Sequence, residues 1–268
     1  MPQKRRHTTR KSSSPQRKLQ RSWRRWRGRL IVWGALLFVV LFVLDKSLGP
    51  QMCNGTGTHA LSQGYDGIDV SKFQGRIDWQ TVAAQSDVRF VYIKATEGST
   101  VSDSRYARNL KGAREAGLPV GSYHYFIGRR SARDQFDNFC RTVPRDEQDL
   151  LPMVDVEEAG NRLVAPERLR ENLREFMELI HEEYGVYPIL YSQYGFYNAR
   201  LAGHFDDCLI FMARYSKQEP RLKGKAAYAI WQYSERGHIP GIKGTVDLDR
   251  FSPRTTLSDL RLHRGLFR

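Results

Sequence analysis

From about residue 65 onward, short apolar segments alternate with longer segments in which apolar residues recur at helical spacing. The short segments predict strands at 66–70, 89–95, 119–126, 151–156, 187–192, 208–214 and 227–233, with a shorter one near 245–248. The longer segments predict helices at 76–86, 103–116, 131–142 and 166–184. Alternation of this kind is typical of parallel strands joined by crossover helices.

The number and spacing of these elements favour a closed barrel. About eight strands within roughly 200 residues suit a (β/α) barrel of the TIM type. After residue 193 the connections are shorter and more irregular, so we expect the last strands to lack full helices. A doubly wound open sheet is the alternative, but no glycine-rich phosphate loop follows the first strand. We therefore expect an α/β fold, a modified TIM-like barrel with irregular last strands, over residues 65–268.

A different pattern precedes the barrel. Residues 30–44 form an uncharged apolar run, and extension to residue 48 brings it close to the length that spans a bilayer. Residues 49–64 are small and polar, as in a linker. We expect a single transmembrane signal anchor at 30–48. A cleaved signal peptide is the alternative, although no Ala-x-Ala-like cleavage site follows.

The charge of the chain supports this membrane topology. Of the 43 basic residues, twelve lie in residues 1–29, which contain no acid, so the rest of the chain has 31 basic against 29 acidic residues. By the positive-inside rule, the basic tail stays cytoplasmic and the barrel is exported across the inner membrane to the periplasmic side. A nucleic-acid-binding tail is the weaker alternative, and we expect no nucleic-acid partner.

The candidate chemistry begins with Asp155 and Glu157, which end the predicted strand at 151–156. Residues i and i+2 of a strand face the same side, so the two carboxyl groups are expected to point together. Close carboxylates shift each other's pKa values, which allows one to donate a proton while the other stays charged. An Asp-x-Glu alone is more typical of a strand that ends in a solvated loop.

Other strand ends carry further acids and aromatic residues. In a barrel of this class the working residues lie at the carboxyl ends of the strands. Those ends carry the acids Asp69, Glu97, Asp247 and Asp249 and the aromatic residues Tyr125, Tyr191 and Trp231. Aromatic faces stack on sugars, and paired acids cleave glycosidic bonds. The pattern therefore favours carbohydrate chemistry.

Metal and acyl-transfer chemistry find little support. His124 is the only histidine at these strand ends, and we expect it to be a hydrogen-bonded wall residue. No Gly-x-Ser-x-Gly motif is present. Cys53, Cys140 and Cys208 lack metal-site spacing; Cys140 and Cys208 either form a pair or all three are free. We expect no metal and no cofactor.

Seven segments together resemble glycoside hydrolase family 25, the lysozymes (N-acetylmuramidases) of the bacteriophage and Chalaropsis type. They are Gly-Ile-Asp-Val-Ser-Lys-Phe-Gln (67–74), Phe-Val-Tyr-Ile-Lys-Ala-Thr-Glu-Gly (90–98), Gly-Ser-Tyr-His-Tyr-Phe (121–126), Val-Asp-Val-Glu (154–157), Pro-Ile-Leu-Tyr-Ser (188–192), Ile-Trp-Gln-Tyr (230–233) and Gly-Thr-Val-Asp-Leu-Asp (244–249). Their order covers about residues 65–252. The predicted membrane anchor is similar to that of enterobacterial members.

The resemblance implies hydrolysis of the β-1,4 bond between N-acetylmuramic acid and N-acetylglucosamine in peptidoglycan. It implies that Glu157 is the proton donor and that Asp155, Asp69 and Asp247 complete the catalytic acids. We expect Tyr125, Tyr191, Trp231, Glu97 and Asp249 to contact the substrate. Asp249 departs from the family pattern, which usually has Asn at this position.

Two alternatives stay open at this stage. We expect retention of configuration, in which the 2-acetamido group of the substrate attacks and Asp155 or Asp69 orients it. A direct carboxylate nucleophile would need the two acids about 5 Å apart, and an inverting pair would need a wider gap. For the whole protein, the alternative is a non-catalytic barrel that binds peptidoglycan or another glycan.

Overall fold

The computed structural model of the chain describes residues 64–262, in which the predicted α/β alternation is present. The strands are β1 (Gly67–Val70), β2 (Phe90–Glu97), β3 (Val101–Ser102), β4 (Val120–Tyr125), β5 (Met153–Val156), β6 (Ile189–Gln193), β7 (Ile210–Ala213), β8 (Tyr228–Gly237) and β9 (Val246–Phe251). The helices are α1 (Trp79–Gln85), α2 (Tyr106–Glu115), α3 (Ala132–Thr142), α4 (Glu158–Asn161), α5 (Pro166–Tyr184) and α6 (Tyr194–Arg200).

The sheet closes into an eight-stranded barrel. Strands β1, β2, β4, β5, β6, β7 and β8 run parallel, and β9 lies antiparallel between β8 and β1. The short β3 adds to the edge of β2. The predicted barrel with short late connections is therefore confirmed, although the direction of β9 is new. A parallel return needs a crossover of a dozen or more residues, which the segment 238–245 is too short to provide.

Two apolar layers hold the barrel together, one inside it and one between the sheet and the helices. On β2, Phe90 and Tyr92 point into the barrel, while Val91 and Ile93 face the helices, and all four are fully buried. A strand that is buried on both faces has a continuous run of apolar residues, and this run makes β2 easy to predict from the sequence. The inner layer fills the barrel below its mouth.

Helix α5 has the predicted bounds and clear start and stop signals. Pro166 occupies the first turn, where its missing N–H costs nothing, and Gly185 ends the helix in a left-handed conformation with φ of 71°. The apolar face packs against α3 and the sheet. His124 lies in this layer, stacked on Phe176 with 4.9 Å between ring centroids.

The N-terminal expectations lie outside the described residues. They are the basic tail (1–29), the membrane anchor (30–48) and all of the linker (49–64) except Gly64. Between residues 64 and 262, no helix is both long enough and apolar enough to cross a membrane. Within the same range Cys140 and Cys208 are free thiols, so the expected alternative of a bond between them is wrong. Cys140 lies on α3, whereas Cys208 precedes β7.

Candidate active site

One side of the barrel mouth is built by β5 and its neighbours. Asp155 on β5 lies in register with Tyr125 of β4 and Tyr191 of β6, so a tyrosine flanks it on each side. The Asp155 side chain is buried, and its Oδ1 atom has no hydrogen-bond partner. Glu157 follows directly after β5 and is partly exposed. The two acids thus meet at the mouth, as their spacing predicts.

Opposing effects set the pKa of Glu157. Burial raises the pKa of its carboxyl group above the usual range, while the charge of Lys94 and hydrogen bonds from Tyr125 and Tyr191 lower it. Burial, and then the neighbouring Glu157, raise the pKa of Asp155 well above its usual value. Two close carboxyl groups in a buried site cannot both ionise easily, so the pair holds a proton that free carboxylic acids would have lost.

Lys94 is the cation of this side, and sequence reasoning missed it. Its Nζ atom donates to Glu97 Oε2 at 2.7 Å and lies 4.6 Å from the centre of the Tyr125 ring. A register shift between Lys94 and Thr96, which leaves Ala95 as an extra residue, brings Lys94 and Glu97 to the same side of β2. Glu97, expected to contact substrate, is therefore first the partner of Lys94.

The opposite side of the mouth is built by β1 and β9. Asp69 and Asp247 are directly paired across these antiparallel strands, and their carboxyl groups share a hydrogen bond. Burial and the charge of Asp247 raise the pKa of Asp69 well above its usual value. The pKa of Asp247 rises to about 6, mainly through burial, while its hydrogen bond with Asp69 lowers it. The two carboxyl groups therefore share a proton through this hydrogen bond.

Gln232 supports this second pair and was not predicted. It is 1% exposed, and its Nε2 atom donates to Asp69 Oδ2 at 2.6 Å. Its Oε1 atom accepts hydrogen bonds from the hydroxyls of Tyr191 at 2.9 Å and Tyr215 at 2.8 Å. A glutamine with all of these partners has one fixed orientation. The sequence feature that could have identified Gln232 is its position next to Trp231 at the end of a predicted strand.

Two of the residues expected to contact the substrate, Trp231 and Asp249, lie away from the open mouth. Trp231 alternates with Gln232 on β8, so it faces away from the acids; it is 3% exposed and its Nε1 atom donates to Arg214 O at 2.8 Å. His124 faces the helices, bonded to Thr96 and Gln135, and burial lowers its pKa to about 3. Neither side chain joins the acid cluster.

Asp249 is the second of these residues, and it lies inside the barrel. It is two residues from Asp247 on the same face of β9, is 0% exposed, and both its carboxyl oxygens lack hydrogen-bond partners. Burial, then Asp69 and Asp247, raise its pKa well above the usual value. The structure therefore places this acid below the mouth rather than at the surface expected for substrate contact. Opposite it in register, Gly67 leaves room for the Phe90 ring.

These features define the chemistry of the mouth. Four carboxyl groups, Asp69, Asp155, Glu157 and Asp247, surround it, and burial raises the pKa of each. Such a cluster can both donate a proton and stabilise positive charge. Between residues 64 and 262, no group of three or more His, Cys, Asp or Glu is arranged to hold a metal ion.

An α/β barrel with paired carboxyl groups at the ends of its strands defines a glycoside hydrolase type of protein. Residues 68–242 match the glycosyl hydrolases family 25, and the chain belongs to this family. The resemblance seen in the seven sequence segments is thus confirmed.

Relatives and solved structures agree with this assignment. The chain is 39% identical over 190 residues to the uncharacterized Escherichia coli K12 protein YegX, covering 69% of each. It is 33% identical over 186 residues to the autolytic lysozyme of Clostridium acetobutylicum, covering 69% of this chain and 55% of the relative. A solved family 25 glycosyl hydrolase from Bacillus anthracis is 27% identical with a TM-score of 0.67, covering 78% of this chain and 97% of the other.

Proposed function

We propose that this glycoside hydrolase cleaves the β-1,4 bond between N-acetylmuramic acid and N-acetylglucosamine in peptidoglycan. Membership of family 25 and the likeness to a protein named autolytic lysozyme support the substrate class. The observation that carries the proposal is the position of Glu157. Its carboxyl group has a raised pKa, is partly exposed at the mouth, and lies beside Asp155.

Glu157 acts as the proton donor to the leaving oxygen. A general acid must keep its proton near the working pH, which the burial of Glu157 favours. Lys94 and the two tyrosines limit this effect, because each lowers the pKa of Glu157. These opposing effects leave the pKa of Glu157 above its usual value, which is the direction that a proton donor needs.

Asp155 orients the 2-acetamido group of the substrate, and the reaction retains configuration. Asp155 is 6% exposed and its Oδ1 atom has no partner in the protein, so its carboxyl group has capacity left to accept a hydrogen bond from the acetamido N–H. A donor to a carboxylate favours the charged form. Substrate binding would therefore ionise Asp155 and leave the proton of the pair on Glu157. Asp69 and Asp247 stabilise positive charge from the other side.

Digestion of purified cell wall by the full chain tests this proposal. We expect new reducing ends that carry N-acetylmuramic acid, identified by mass spectrometry. Glu157→Gln should lower kcat roughly 10²–10⁴-fold, because the proton transfer is lost. Glu158→Gln is the matched control, since Glu158 is the exposed next residue.

The outcomes separate the enzyme from the alternative. Equal release by wild type and Glu157→Gln would remove Glu157 from the donor role. Absence of release by the wild type, with binding to cell wall intact, would favour a non-catalytic glycan-binding barrel.

We also infer that residues 30–48 anchor the chain in the inner membrane, with the barrel on the periplasmic side. The apolar run and the twelve cations before it support this topology. Protease added to spheroplasts should digest the barrel and leave residues 1–29 protected. A mature chain that begins after residue 48 would instead identify a cleaved signal peptide.

A further inference from the structure

A groove of about 1110 Å³ lies outside the barrel, between α1 and α2. Its walls are the segment 73–80, one face of α2 and the loop 241–243. We call this the basic groove, because its rim carries the exposed cations Arg76, Arg108, Lys111 and Lys243. Its volume suits a ligand the size of a short peptide.

The basic groove is built from the same chain segments that carry two of the acids at the mouth. The segment 73–80 follows Asp69 of β1, and the loop 241–243 leads into Asp247 of β9. Gln74 Nε2 donates to Thr245 O at 3.4 Å, joining these two segments. Gln74, which lines the groove, is thus bonded to a residue two positions before Asp247, so this end of the groove lies on the Asp69 and Asp247 side of the barrel.

The walls of the groove are held in place by backbone contacts. The N–H of Asp78 donates to Gly241 O at 2.9 Å. Gly241 has φ of 90°, and a Cβ atom there would come within 2.5 Å of Asp78 O, so this close approach requires glycine. The backbone N–H of Lys72 also donates to Asp103 at 2.9 Å, which ties the β1–α1 segment to the start of α2. The groove is thus a built concavity.

The charge of the groove favours an anionic ligand. Two acids also line it: Asp78, which accepts hydrogen bonds from Thr81 and keeps its charge, and Glu115, which lies 3.8 Å from Lys111. Four cations against two acids leave the lining with a net charge of +2. Within residues 64–262, Arg108 and Lys243 take part in no ion pair. Their charges are therefore available to a ligand, although residues 30–268 as a whole are nearly neutral.

The floor of the groove is apolar. Ile77, Trp79 and Ile242 line it and are each at most 9% exposed, while Phe73 stands at its edge with 81% of its surface exposed. An apolar floor with cations on the rim suits an extended chain of short aliphatic groups and carboxylates. A flat lipid surface would contact a protruding basic patch more readily than a concavity.

We propose that the basic groove binds the acidic stem peptide of peptidoglycan while the glycan strand occupies the barrel mouth. This inference rests on the proposed function and extends it from the glycan to the peptide that the muramic acid carries. The free carboxylates of the peptide would contact Arg108 and Lys243, and its aliphatic side chains would lie on Ile77 and Ile242.

The test compares two substrates prepared from one batch of cell wall, one with intact stem peptides and one stripped of them by an amidase. The wild type should have the higher kcat/KM on the peptide-bearing wall. Arg108→Glu combined with Lys243→Glu should lower that value about fivefold to tenfold, as expected for partly exposed ionic contacts. The rate on stripped glycan should stay within about twofold.

Arg168→Glu is the matched control, because Arg168 is an exposed cation on α5 and α5 packs against α3. It should keep the wild-type preference. The preference should also fall as salt is added, since salt screens exposed charges. Equal wild-type rates on both substrates would overturn the inference, and so would an equal loss on both in the double variant.

A failure of the proposed function has a different signature. If neither substrate is cleaved, binding of a fluorescent Ala-Glu-diaminopimelate tripeptide, measured by anisotropy, tests the groove by itself. Binding by the wild type that the double variant loses would support a peptide site in the groove. Absence of binding by the wild type would overturn the inference. Phosphatidylglycerol vesicles are the second probe. Vesicle binding lost in the double variant, without any substrate preference, would assign the groove to a membrane surface instead.

Discussion

Each side of the barrel mouth carries a pair of carboxyl groups, and the two pairs lie in different environments. On the β5 side, Asp155 and Glu157 come from one strand and lie near a cation, Lys94. On the β1/β9 side, Asp69 and Asp247 come from two paired strands and are supported by a neutral amide, Gln232. The first pair is suited to change its protonation during a reaction, and the second to keep a shared proton in place.

Tyr191 connects the two sides. Its hydroxyl lies within hydrogen-bonding reach of Glu157 and also 2.9 Å from Gln232 Oε1. A hydroxyl has one proton, so it donates to only one of these groups at a time. Ionisation of Glu157 would attract that proton away from Gln232. The protonation state of Glu157 can thus change the hydrogen bond between Tyr191 and Gln232, the amide that orients Asp69.

Removal of Lys94 tests whether its charge distinguishes the two sides. Lys94→Met removes a charge that lowers the pKa of both Asp155 and Glu157. Both pKa values should rise, so the whole bell-shaped profile of kcat/KM should move to higher pH. At pH 5 we expect a loss of about tenfold to a hundredfold, because fewer molecules have Asp155 ionised.

Lys94→Arg is the control, since it keeps the charge. Its pH profile should stay close to that of the wild type. An unshifted acidic limb in Lys94→Met would show that another group sets the protonation of the β5 pair.

Substitution of Gln232 tests the opposite side. Gln232→Leu removes the donor to Asp69 and the acceptor of two tyrosine hydroxyls. We expect kcat to fall about tenfold with little change in KM, because Asp69 loses its fixed orientation. Unsatisfied buried groups should also lower the free energy of unfolding by about 1–3 kcal/mol, measured by urea denaturation.

Tyr215→Phe separates the loss of one hydrogen bond from the loss of the whole Gln232 side chain. It removes only the bond from Tyr215 to Gln232, and Tyr215 is an exposed residue. It should leave kcat within about twofold. A loss as large as that of Gln232→Leu would mean that Tyr215 itself acts on the substrate.

The β5 side could be predicted from the sequence because its geometry is local. An apolar run identifies the strand, and the spacing of Asp155 and Glu157 places both acids on one side. Lys94 escaped notice because the extra residue at Ala95 shifts the alternation of β2, which brings Lys94 and Glu97 together. A single additional residue in a strand leaves no mark in the pattern of apolar positions.

The β1/β9 side depends on contacts between distant residues. Asp69 and Asp247 were expected at the same mouth, but their direct pairing depends on the antiparallel direction of β9. Trp231 was chosen for its aromatic ring, although alternation along β8 turns it away when Gln232 faces inward. The closure of the barrel sets the register between strands that are far apart in sequence. This register cannot be predicted from a single sequence.

The smallest expected effect concerns Asp249, which lies below the β1/β9 pair. Burial raises its pKa in the folded protein, so folding becomes less favourable as pH rises above the ordinary pKa of about 4. Asp249→Asn cannot ionise and avoids this loss. Its melting temperature should exceed that of the wild type by a few degrees at pH 7, and the gain should shrink towards pH 4.

Scanning calorimetry of both proteins at pH 4 and pH 7 measures this difference, and activity at pH 5 should change less than twofold. A pH-independent difference would show that packing, and not ionisation, separates Asp from Asn at this position. A large loss of activity would mean that the proton on Asp249 supports Asp69 and Asp247 during the reaction. The β1/β9 side would then comprise three coupled acids, in contrast to the two acids and one cation of the β5 side.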